Sequence, residues 1–193
     1  MKNKNLSHAA AAVCGLAALP TLFGGDLIVN GGFETGNFTG WTRGGDYHLT
    51  DVTFSVPLET HTGTGAAVLG TDLGTAAIAG SLGQSISPSP GETYTFSFWL
   101  RNNDGAAEFH AYWNGTELLS LHPDGAFVWT PYSFTVVGPA TFSDPTLFVF
   151  KNSTDFLYLD DVSLTAVPEP AALAGAAVMG LSAISFVIRR RRS

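Results

Sequence analysis

Between residues 26 and 166, apolar side chains recur at every second position in short runs, and no stretch sustains a 3.6-residue apolar period. The clearest run is 94–101. Tyr94, Phe96, Phe98 and Leu100 fall on one side, and Thr95, Ser97, Trp99 and Arg101 on the other. It follows Ser87-Pro88-Ser89-Pro90-Gly91-Glu92, a strong turn signal. Similar runs at 107–113, 117–121, 129–137, 146–151 and 156–164 predict strands, and Asn114-Gly115 predicts a hairpin turn. With nine to eleven candidate strands in one domain, a single open sheet is too large. The pattern therefore predicts an all-β fold, a two-sheet antiparallel β-sandwich of the jelly-roll kind.

The two ends follow a different pattern. Residues 1–25 place Lys2 and Lys4 before an apolar run from Ala9 to Leu19 with no polar face, which predicts a secretory signal helix. The only cysteine, Cys14, lies inside it, so the exported chain carries no disulfide framework and no thiol chemistry. At the other end, Pro168-Glu169-Pro170 precedes 18 uncharged, mostly apolar residues, 171–188, and then Arg189, Arg190, Arg191 and Arg192. Eighteen helical residues span roughly 27 Å, enough for one transmembrane helix, with the arginines retained on the cytoplasmic side.

Charge sharpens this division. Residues 26–167 hold Arg43, Arg101 and Lys151 against 15 carboxylates, a net of −12, while both ends are basic. Such a domain repels phosphate backbones, which excludes nucleic-acid binding. Enzyme chemistry finds no footing either. There is no HExxH, GxSxG or phosphate-binding loop, and His48, His61, His110 and His122 are scattered singly.

The end of the chain, 167–193, resembles the PEP-CTERM sorting signal of Gram-negative bacteria: a Pro-Glu-Pro motif, one apolar helix and a terminal arginine cluster. The resemblance implies recognition by an exosortase-type membrane peptidase and cleavage near Pro168-Glu169-Pro170. A precursor anchored in the inner membrane would then reach the cell surface or the extracellular matrix. The middle of the chain has its own resemblance. Asn30-Gly31-Gly32-Phe33-Glu34 followed by Trp41, then Leu82-Gly83-Gln84-Ser85-Ile86, and finally Leu159-Asp160-Asp161-Val162-Ser163-Leu164, look like the carbohydrate-binding-module jelly rolls of galactose-binding-like fold. That resemblance implies a non-catalytic surface protein contacting extracellular polysaccharide. The alternatives are a structural surface module without a sugar ligand and, third, a glycan-processing enzyme.

Two sets of residues are candidates for chemistry. Asp160 shares alternation with Tyr158, Val162 and Leu164, which predicts a carboxylate aimed at the core. The resemblance implies one structural calcium ion held by Glu34 and Asp160, with Asp161 as substitute and carbonyls near Glu59–Gly63 completing the shell. Without a metal, Asp160 would accept backbone amides and Glu34 would be solvated. The second set is a sugar face. If strands 94–101 and 107–113 are neighbours, Trp99, Arg101, Glu108, His110 and Tyr112 form one outward aromatic and polar patch. The alternative covers that patch with a loop, leaving Trp99 as packing and Arg101–Glu108 as a cross-strand pair. Trp41 and Trp129 are expected in the core.

Overall fold

The computed structural model describes residues 25–56, 58–71, 79–103, 105–141, 146–152 and 156–168. The predicted signal helix and sorting tail lie outside these residues, apart from Gly25, Val167 and Pro168. Among the described residues no helix is long and apolar enough to cross a membrane.

Among the described residues ten strands form the fold: β1 (Thr42–Gly45), β2 (Asp51–Phe54), β3 (Gly65–Leu69), β4 (Gly80–Gln84), β5 (Thr93–Asn102), β6 (Ala107–Trp113), β7 (Thr116–Leu121), β8 (Phe127–Val137), β9 (Thr146–Asn152) and β10 (Leu157–Ala166). They build two five-stranded sheets, ordered β1-β4-β9-β6-β7 and β2-β3-β10-β5-β8, with every pairing antiparallel. This is the expected all-β two-sheet sandwich. The Asn114-Gly115 hairpin between β6 and β7 has φ of 45° and 75°, the double left-handed turn that matches strand twist.

Alternation chooses the inner faces. Tyr94, Phe96, Phe98 and Leu100 of β5 are buried, as are Phe109, Ala111 and Trp113 of β6 and Phe148 and Phe150 of β9. Phe148 joins the two sheets, its ring centroid 5.1 Å from Phe98 and 5.6 Å from Phe109. The opening Asn30-Gly31-Gly32-Phe33-Glu34 segment seals one end. Phe33 is fully buried against Trp41 with centroids 5.5 Å apart, and Leu27 N donates to Leu164 O of β10 at 3.0 Å.

Two sequence expectations fail here for a physical reason. Consecutive strands β5 and β6 do not pair; the chain crosses from one sheet to the other between them. Trp99 and Arg101 therefore lie on the outer face of one sheet, and Glu108, His110 and Tyr112 on the outer face of the other, so the single patch does not exist. The supposed Arg101–Glu108 cross-strand pair goes with it. Trp129 is likewise not core: it lies on the Trp99 side, 5.8 Å from His61.

Candidate functional site

A β-bulge decides where the Asp160 carboxylate goes. Register shifts between Asp160 and Ser163, and Asp161 adopts φ of 49°. Before the bulge Leu157 and Leu159 enter the core; after it Val162 and Leu164 do. Asp160 thus does not share the face of Val162 and Leu164. It stands opposite Trp99 on the outer side of its sheet, completely buried because loop 58–65 lies over it.

Carboxylates hold that loop down. Asp160 Oδ2 accepts the amides of His61 (2.9 Å) and Thr62 (3.2 Å), and Oδ1 accepts the Asp161 amide at 2.7 Å. Asp161 meets His61 Nδ1 and the Thr62 hydroxyl, each at 2.6 Å. Glu34 accepts the amides of Thr64 and Gly65, both at 2.9 Å from Oε1, and the Thr64 hydroxyl. The Gly65 amide above all holds the Glu34 carboxyl below its usual range, with Thr64 adding to it against a smaller effect of burial. A Cβ on Gly32 would stand 3.7 Å from Asp160 Oδ1, Asp161 Oδ1 and Glu34 Cγ, while the Glu34 carboxylate itself turns to the amides of Thr64 and Gly65.

The loop also covers the candidate stacking face. The His61 ring lies on Trp99, centroids 3.7 Å apart and planes at 16°. Arg101 Nη1 donates to Leu58 O of the same loop and Nη2 to Asn103 Oδ1, while the guanidinium sits 5.4 Å from the Tyr158 ring. Trp99 and Arg101 serve loop packing, the covered arrangement.

Beside the loop the same outer face opens into a groove of about 570 Å³. Strand pairing sets Asp51 of β2 opposite Val68 of β3, and Val68 opposite Tyr158 of β10. Tyr158, Val68 and Phe156 line it, Glu59 borders it from the loop with Oε2 accepting the Thr53 hydroxyl at 2.6 Å, and Arg43, His48 and Thr50 line it from the segment around β1. Arg43 is itself positioned, donating to Thr50 O at 3.0 Å between the rings of Phe38 and Tyr47. The sequence does not single out these residues as a ligand-binding set. Four-residue β2 carries too short an alternation, and only the β2–β3–β10 pairing gathers them.

Neither a protein-family model nor a curated protein sequence matches the chain. Among solved structures it is similar to the carbohydrate-binding module TmCBM61, in complex with β-1,4-galactotriose. The TM-score is 0.54 at 22% identity, over 76% of this chain and 100% of the module. This chain shares the β-sandwich fold of that module. It is also similar, with a TM-score of 0.53 and 17% identity over 74% of its length, to the enzymatically active domain of tailspike protein 4 from bacteriophage CBA120. This chain spans only 21% of that tailspike chain.

Proposed function

We propose that the domain binds extracellular polysaccharide without cleaving it, using the groove between the Arg43–Thr50 side and loop 58–65. The observation that carries the reading is the groove itself: a concave site of ligand size, with an aromatic floor and hydrogen-bonding rims. A module of the same fold bound to an oligogalactoside supports it. Export by the 1–25 signal and sorting of 167–193 by an exosortase-type peptidase complete the proposal, placing the mature domain at the cell surface or in the matrix. Affinity electrophoresis in polysaccharide gels is the test. The parent is expected to be retarded in at least one gel, and Asp51→Asn with Glu59→Gln to weaken retardation about tenfold or more, the scale of two lost ligand hydrogen bonds. Tyr112→Ala, on the opposite face, should run as the parent does. Unchanged mobility in every gel removes polysaccharide binding and favours a structural surface module.

We propose as a separate matter that Glu34, Asp160 and Asp161 hold one structural calcium ion. Burial foremost, and the neighbouring Asp161 charge, push the Asp160 carboxyl up to about 6 against the pull of the His61 amide. A carboxylate so deeply buried beside a second one offers the hard oxygen donors that suit calcium. Among the described residues no three His, Cys, Asp or Glu side chains are set to hold a metal ion, so the ion would have to draw these carboxylates off the loop amides they accept and take main-chain carbonyls into its shell. The sign of the pH effect tests it. In chelator, folded Asp160 keeps a proton between its ordinary 3.8 and about 6 that the unfolded chain has released, so stability falls as pH rises through that window. Calcium favours the carboxylate, so adding it at neutral pH is expected to raise the Tm, and Glu34→Ala to abolish the rise. Equal melting with calcium and with chelator removes the ion.

A further inference from the structure

The outer face of the other sheet carries a cluster that has no part in the groove. In the β6–β7 ladder His110 stands opposite Ser120, and the adjoining Phe109–Leu121 pair brings His122 alongside. The His110 and His122 rings meet edge to face, centroids 5.5 Å apart and planes at 80°. His110 Nδ1 lies 2.5 Å from Glu117 Oε1. A carboxylate at Nδ1 places the proton there and leaves the lone pair on Nε2. Glu117 also reaches toward the Tyr112 hydroxyl at 3.5 Å; burial first, and then this charge, raise the Tyr112 phenol above its usual range. His122 Nε2 is 3.3 Å from Ser120 Oγ, on the row that His110 occupies.

We propose that His110 and His122 form a binding site for a transition-metal dication of the zinc, copper and nickel group. The diagonal cross-strand position sets the two ring centroids 5.5 Å apart, close enough for both imidazoles to turn onto one ion through bonds of about 2.0–2.1 Å. Glu117 is the positioning residue. A carboxylate on the far nitrogen of a metal-bound imidazole fixes its tautomer and raises its basicity. Imidazole donors select this group of metals over calcium and magnesium, which take oxygen. Because no three acidic, histidine or cysteine side chains converge among the described residues, the two imidazoles are the nucleus of the site. Water supplies the remaining positions.

Calorimetric titration of the full chain with zinc chloride alone, in metal-free buffer, tests the site. The parent should show one dominant binding event, and His110→Ala and His122→Ala should each weaken it at least tenfold. Glu117→Gln should weaken it about tenfold, the lower end for an orienting carboxylate. Circular dichroism of all three variants should match the parent, since none of these side chains enters the core. Absence of zinc binding overturns the proposal. So does unchanged binding in the His110→Ala/His122→Ala double variant, which would assign the metal to His8, His48 or His61. A Glu117→Gln variant that binds as the parent does overturns the positioning role.

Discussion

Replacing Phe148 with alanine is expected to cost about 3–5 kcal/mol of unfolding free energy, the largest effect of any single truncation here. The side chain is fully buried in β9 and touches both layers. Its ring centroid lies 5.1 Å from Phe98 and 6.0 Å from Phe96 across the sandwich, 5.6 Å from Phe109 on the neighbouring strand and 6.3 Å from Trp41. Truncation removes the shared partner of four rings, and the surrounding strands are held by their ladders and cannot collapse to fill the void. For a domain of this size the melting temperature should fall on the order of 10 °C. Phe148→Leu, which keeps most of the volume, should cost well under half as much. A thermal melt of Phe148→Ala within about 2 °C of the parent would contradict this account of the core.

Gly31→Ala is expected to be nearly as damaging, although it adds only one methyl group. A Cβ at Gly31 would stand 1.9 Å from the Val162 carbonyl oxygen, inside the distance any real contact reaches. The opening segment must therefore lift off β10. Lifting it breaks Val162 N to Gly31 O, Leu27 N to Leu164 O, and the Leu164 amide's bond to Asp26, all 2.9–3.0 Å, and loosens buried Phe33. Several kcal/mol of lost stability follow from these losses together. Gly36→Ala is the informative control. Gly36 has φ of 67° and nothing within 3.6 Å of an added Cβ, so its cost is backbone strain alone, about 1–2 kcal/mol. Urea denaturation of the two variants should rank them clearly; equal costs would mean that close approach to β10 is not what Gly31 provides.

Much of the fold was legible because alternation reports inside against outside. Tyr94, Phe96, Phe98 and Leu100 were placed correctly by parity alone, and Asn114-Gly115 announced its turn. Alternation does not report which sheet a strand joins. Strands β5 and β6 have the same parity signal whether they pair or cross over, so Trp99 and His110 were joined on one face when the sandwich separates them. Nor does it report a bulge. Asp160-Asp161 sits inside an otherwise regular alternation, and aspartate, which tolerates the left-handed conformation, gives only a weak sign of the bulge that reverses the parity. The groove was invisible for a third reason. Arg43, Asp51 and Glu59 lie close in sequence without a shared alternation, and only the non-local β3–β10 pairing brings Tyr158 to them.

The position of β10 has a mechanical consequence. It is the central strand of its sheet, bonded to β3 on one side and β5 on the other, and the chain leaves it at Val167, whose amide is bonded to Thr93 O at 2.8 Å. A tether drawn from residue 167 therefore pulls β10 along its own length. Its ladder bonds run perpendicular to that pull, so they are loaded in shear together and cannot be peeled one by one from a free edge. Tyr158, on the floor of the groove, belongs to the same strand, so a load between any ligand held there and residue 167 would run along β10, past the bulge at Asp161, without crossing the aromatic core.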